Sequence, residues 1–209
     1  MLAWDHNAYY RQLLLRAVPA GAHRVLEIGC GAGGLAAQLS RCVEHVDALD
    51  RDPAMVAAAR ARVPGNVTVI QADVLRDPLP GHSYDAIVSM SVLHHLPMGP
   101  ALRRLATALR PGGVLAAVAL PRTDLPREVP IELAATAWHL SVGAALRVSG
   151  GRWPTGLTES PHPAAMPVHD PELTTREVRS AAAEVLPGAR VRRLLLWRHL
   201  LTWRAVGPD

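Results

Sequence analysis

Between Arg24 and Leu120 the chain alternates short apolar runs with stretches of helical spacing, and this alternation restricts the fold more than any other feature. The apolar runs are RVLEIG (24–29), HVDALD (45–50), NVTVIQAD (66–73), YDAIVSM (84–90) and VLAAVAL (114–120). GGLAAQLSRC (33–42), PAMVAAARARV (53–63) and residues 98–109 read as helices between them. Pro53 suits a first helical turn, where no backbone N–H is needed. Strands that are apolar throughout need cover on both faces. They predict a mostly parallel, doubly wound α/β sheet in three layers. Tyr10, Leu13, Leu14 and Ala17 mark a helix over 7–18, and Arg110-Pro111-Gly112-Gly113 reads as a turn before the fifth strand.

The pattern changes at Pro121. Residues 128–148 read as one long apolar helix, and 149–172, rich in Gly, Pro and His, as a loop. Residues 174–186 are helical in pattern. Two apolar runs, 189–197 and 199–206, lie too close together for a helix to join them, so they predict an antiparallel pair at the sheet edge. With 209 residues and 49% apolar composition, the chain is expected to be one domain, 1–209. Residues 1–20 would form an N-terminal helical cap, and 121–172 an insertion acting as a lid.

Composition narrows the partners. All 22 basic residues are arginine, the net charge is only +4, and the arginines are scattered, so no nucleic acid is expected. Cys30 and Cys42 are too few for a disulfide framework, and no spacing suggests a metal site. The N-terminus lacks the basic-then-apolar pattern of a signal peptide, and no apolar run reaches the ~20 residues of a membrane helix. A cytoplasmic protein without a membrane partner is expected. Oligomeric state is not legible.

Chemistry concentrates at the carboxyl ends of the predicted strands. Gly29, Gly31 and Gly34 fit the GxGxxG of dinucleotide enzymes, and Gly29, Gly31 and Gly33 fit the GxGxG of methyl-transferring enzymes. Both put a strand-to-helix turn without Cβ atoms against a ligand. Glu27 would repel a pyrophosphate, but suits the positive amino group and sulfur of a sulfonium nucleoside. Its alternative role is bonding the turn. Asp50 ends the second strand, where a carboxylate can accept from two ribose hydroxyls. Asp52 reads as a helix cap. Asp73 ends the third strand. There it can accept from an adenine amino group while the Val74 N–H donates to the ring, or it can cap the loop.

Glu27-Ile-Gly-Cys-Gly-Ala-Gly33, Asp50-Arg51, Asp73-Val74, YDAIVSM and Arg110-Pro-Gly-Gly113, in this order, resemble a class I S-adenosylmethionine-dependent methyltransferase. The resemblance covers roughly residues 20–120 and implies a seven-stranded sheet with an antiparallel C-terminal strand. It also implies S-adenosyl-L-methionine as cofactor and in-line methyl transfer to an oxygen or nitrogen of a small organic molecule. The implied cofactor set is Tyr10, Glu27, Gly29, Gly31, Gly33, Asp50, Arg51, Asp73, Val74 and Ser89. At the fourth strand's end stand His94 and His95, and no Asn/Asp-Pro-Pro-aromatic motif of nucleobase methylation. Each histidine reads either as a general base or as pocket wall. Tyr10 and His6, in an aromatic-rich segment with Trp4, reach cofactor or substrate, or pack a helix onto the sheet. Trp138, His139, Trp153, His162, Met166 and His169 would line the lid. Three rivals remain at this point: a protein of this fold that binds the cofactor without turnover, a protein or RNA methyltransferase, and a nicotinamide-dependent reductase.

Overall fold

The computed structural model describes residues 6–148 and 170–207. A first helix, α1 (His6–Ala17), precedes β1 (Arg24–Ile28), α2 (Ala36–Leu39), β2 (His45–Asp50), α3 (Pro53–Arg60), β3 (Val67–Gln71) and β4 (Tyr84–Met90). A 3₁₀ turn (Leu93–His95), α4 (Met98–Ala108), β5 (Leu109–Ala119), α5 (Val129–Val148), α6 (Thr175–Val185), β6 (Arg190–Leu194) and β7 (Arg198–Arg204) follow. The strands form one seven-stranded sheet in the order β3-β2-β1-β4-β5-β7-β6. The pairs on the β3-to-β5 side are parallel, while β7 runs antiparallel to both β5 and β6.

Alternation along each strand sorts side chains into two apolar layers. Val114, Ala116 and Val118 of β5 join Leu14, Leu39 and Val56, from α1, α2 and α3. Leu115, Ala117 and Ala119 join Leu102 and Leu105 of α4 and Val178 and Ala182 of α6. This is the three-layer α/β arrangement that the alternating pattern predicts. Local chemistry fixes the helix starts. Asp52 accepts from the N–H groups of Ala54 and Met55 ahead of Pro53, and Thr174 and Glu177 form a reciprocal capping box on α6.

Three elements depart from the sequence expectation. Only Ala36–Leu39 of the 33–42 stretch is α-helical, because Gly31 and Gly33 hold positive φ and the chain turns through residues 31–35 before a helix can start. Arg110–Gly113 is no free turn. It is the irregular opening of β5, drawn into the sheet by two bonds, Gly112 N–H to Ala205 O and Ala205 N–H to Gly113 O, each 2.8 Å. The third strand ends at Gln71 rather than at Asp73, whereas the antiparallel C-terminal pair closes the sheet as expected, with β7 inserted between β5 and β6.

The amino ends of the strands carry structural charge. Asp85, buried at the start of β4, accepts from the N–H groups of His23 and Arg24 at 2.7 and 2.8 Å and pairs with Arg110. Among the described residues, no helix is long and apolar enough to cross a membrane.

Candidate active site

A cavity of about 420 Å³ opens at the carboxyl ends of the parallel strands, where open α/β sheets place ligands. Strand order lays it out. On the β3 and β2 side stand Asp73, Val74, Asp50 and Asp52; on the β4 and β7 side stand Ser91, His94, His95 and Arg198; Gly29 and Gly31 lie between. One side of the cavity therefore carries three carboxylates with the Arg51 guanidinium beside them, and the other carries imidazoles and the Arg198 guanidinium.

The glycines divide the work. A Cβ on Gly31 (φ +50°) would meet nothing within 4 Å, so the backbone there lies open to a ligand. A Cβ on Gly29 would sit 2.1 Å from Val92 Cγ2, and one on Gly33 would sit 2.7 Å from Val63 Cγ1. Those two permit packing. Asp50 ties the loop to β2: its carboxylate accepts from Gly31 N–H at 2.8 Å and from Asp52 N–H at 3.0 Å. Each carboxylate oxygen retains further accepting capacity. Asp73 accepts from Leu75 N–H at 2.8 Å, and its own N–H donates to Asp77.

Eight of the twelve residues expected in the site line the cavity: Gly29, Gly31, Asp50, Arg51, Asp73, Val74, His94 and His95. Tyr10, Glu27, Gly33 and Ser89 do not. The Tyr10 hydroxyl donates to Leu195 O at 2.7 Å, tying α1 to the β6–β7 turn, and burial pushes its pKa up to about 12. Ser89 is fully buried and donates to Ile28 O at 3.1 Å, a bridge from β4 to β1. Glu27 is 2% exposed, and its buried Oε2 has no hydrogen-bond partner among the described residues. Burial raises its pKa well above the usual carboxyl range, with Arg11 opposing.

His94 and His95 sit on the 3₁₀ turn after β4, ring centroids 3.9 Å apart. Burial, then the charges of His95, Arg198 and His199, push His94 down to about 3. It is neutral near pH 7. The sequence reading missed Ser91 and Arg198. Ser91 holds φ +59° and donates to Asn7 Oδ1 at 2.8 Å, and Arg198 donates to the same oxygen at 3.2 Å. The place of Ser91 in the left-handed region beside the cavity is visible only in the backbone. Nothing local in the sequence marks Arg198, which arrives through the C-terminal hairpin. His6 and His139 bond each other at 3.0 Å, away from the cavity lining, and Trp138 is exposed. Trp4, Trp153, His162, Met166 and His169 lie outside the described residues. Among the described residues no three His, Cys, Asp or Glu side chains group as a metal site.

Residues 25–113 match the family model described as a methyltransferase domain. Over 209 aligned residues the chain is 38% identical to an uncharacterized methyltransferase of Mycobacterium tuberculosis, covering 97% of each protein. The chain belongs to the class I S-adenosylmethionine-dependent methyltransferases. A second M. tuberculosis protein, named a probable S-adenosylmethionine-dependent methyltransferase, is 39% identical over 112 residues, 53% of this chain and 39% of that one. The crystal structure of the N-methyltransferase NodS from Bradyrhizobium japonicum superposes with a TM-score of 0.60 at 18% identity, covering 95% of both chains. At that identity it supports the fold alone. The methyltransferase's cofactor is S-adenosyl-L-methionine. The acidic side suits its ribose hydroxyls and adenine amino group, and the open face of Gly31 admits a ligand against the backbone.

Proposed function

We propose that this methyltransferase acts on an oxygen or nitrogen of a small organic molecule, with the cofactor on the acidic side of the cavity and the acceptor on the basic side. The observation that carries this reading is the division of one cavity into Asp50, Asp52 and Asp73 on one side and His94, His95 and Arg198 on the other. Asp50 would hold the ribose hydroxyls. Asp73 and the Val74 N–H would hold the adenine, Arg51 would border it, and the open backbone at Gly31 would receive the methionine end. S-adenosylmethionine supplies an electrophilic methyl carbon bonded to a positive sulfur.

The remaining tasks fall to the chain: orient the acceptor, keep water out and manage a proton. Arg198 favours an oxygen that carries or develops negative charge, and repels a protonated amine. Hydroxyl acceptors are therefore the favoured class. A neutral His94 can hydrogen-bond such an oxygen but cannot store its proton. Moving a proton from a phenol to an imidazole of pKa about 3 is uphill by about 7 units, or about 10 kcal/mol. At the start of the stretch expected to form a lid, Arg193 reaches Glu128 at 3.3 Å and Glu132 at 2.5 Å, fastening the beginning of α5 to β6.

The test is S-adenosylhomocysteine release from S-adenosylmethionine across a panel of phenols, enols, carboxylic acids and amines, with the parent protein and Arg198→Gln. Turnover on oxygen acceptors that falls at least ~10-fold in Arg198→Gln supports the reading. Turnover confined to amines and indifferent to Arg198 contradicts the assignment of the basic side. Cofactor binding with no turnover on any acceptor favours a protein that only binds it.

A further inference from the structure

A second chamber lies behind His94. It has a volume of about 240 Å³ and shares His94, Leu96 and Leu120 with the main cavity. Its other walls are largely apolar, but two further polar side chains reach it: His199 on β7 and Glu172 ahead of α6. His199 is 1% exposed, and among the described residues neither of its ring nitrogens has a hydrogen-bond partner. Nδ1 of His94 is buried in the same condition. A buried polar group without a partner costs about 1–3 kcal/mol. Both histidines line this space, and their three unpartnered nitrogens point to partners inside it. The chamber has room for several water molecules, and imidazoles on its wall give them bonds. Glu172 is exposed, so a polar side chain links the chamber to solvent.

We propose that this chamber is a hydrated proton outlet for methyl transfer, in which His199 positions water against His94. The proposal rests on the hydroxyl-acceptor reading above. In the step it serves, the acceptor oxygen forms its bond to the methyl carbon as the carbon–sulfur bond breaks. The sulfur takes that electron pair and becomes a neutral thioether. As the oxygen–carbon bond forms, the hydroxyl proton passes to one nitrogen of His94 in the same event in which the other nitrogen releases its proton to chamber water, so no imidazolium is stored. The proton leaves past His199 and Glu172, and nothing accumulates on the protein.

Low basicity suits this role. Arg193 and Arg198 flank His199, and burial, ahead of those charges, pushes it down to about 4. Neither imidazole holds a proton long, and a neutral imidazole can accept at one nitrogen while donating from the other. His199 acts through His94, so it is a positioning residue.

Two variants separate this role from packing. His199→Leu removes the polar nitrogens, whereas His199→Gln keeps an acceptor and a donor. Protein with ¹⁵N-labelled histidine, saturated with S-adenosylhomocysteine, is studied at pH 7 by imidazole NMR and by a high-resolution crystal structure. The proposal expects ordered water bonding His199 and His94 Nδ1, and imidazole shifts of hydrogen-bonded nitrogens. It also expects a several-fold change in the His94 tautomer ratio in His199→Leu, restored in His199→Gln. A dry chamber with unbonded His199 shifts, or a His94 tautomer ratio indifferent to His199→Leu, overturns it. Failure of the parent protein to bind S-adenosylhomocysteine would sink the cofactor assignment instead. The chamber water would then be judged on the ligand-free protein by the same two readouts.

Discussion

A methyl group added at Gly31 and one added at Gly29 meet opposite surroundings. At Gly31 it enters open space beside the cavity, so Gly31→Ala should cost only about 1–2 kcal/mol of backbone strain while weakening S-adenosylhomocysteine binding ~10-fold or more. At Gly29 it meets Val92, so Gly29→Ala should lower stability by about 1–3 kcal/mol beyond the strain. Calorimetric affinity and thermal melting of both variants separate the two effects; equal loss of affinity at equal stability would contradict the division. The same lesson explains Glu27, Ser89 and Tyr10. Sequence places a residue at a strand end or on a helix, but which face it presents depends on neighbours far along the chain. Ser89 bridges to Ile28, and Tyr10 reaches Leu195. Asp50 and Asp73 were legible because Asp50 closes β2 and Asp73 follows β3 by two residues, so both come out at the crevice whatever packs behind them.

At the scale of elements, β7 carries a titration that the fold must bear. The folded pKa of His199, about 4, lies below the ordinary imidazole value near 6.5. Stability from its neutral form is therefore complete above about pH 6.5, and is lost as pH falls towards 4, because the unfolded chain takes up the proton first. The parent protein should lose on the order of 3 kcal/mol more than His199→Gln between pH 6.5 and 4. Denaturant unfolding at the two pH values checks this; parallel loss in both proteins would contradict it. Glu27 works in the opposite sense, its raised pKa favouring the fold at low pH, and cancels in the comparison because both proteins keep it. The helix and strand types were legible from periodicity, and the departures have local causes. Glycines with positive φ shorten α2, and pairing with Ala205 turns an expected turn into the start of β5. That pairing crosses some 90 residues of sequence, which no window on the chain can see.

At the scale of the molecule, one sheet gives its amino ends to stability and its carboxyl ends to chemistry. Asp85→Ala should cost about 1–3 kcal/mol, because the part-buried N–H groups of His23 and Arg24 and the Arg110 guanidinium lose their acceptor, while S-adenosylhomocysteine affinity at a temperature well below melting stays unchanged. Lost affinity in a folded Asp85→Ala protein would contradict this separation. The acidic side of the cavity was legible because its residues follow consecutive strands. The basic side was legible only in its histidines, since Arg198 comes from a hairpin whose insertion next to β5 is a property of the finished sheet. The central claim is that the cofactor occupies the acidic side. Calorimetric titration with S-adenosylhomocysteine tests it most directly, using the parent protein, Asp50→Ala and Arg198→Gln. The account predicts affinity reduced at least ~10-fold in Asp50→Ala, and kept in Arg198→Gln. Equal affinity for the parent and Asp50→Ala, with loss in Arg198→Gln, would place the cofactor on the wrong side of the cavity and contradict the account.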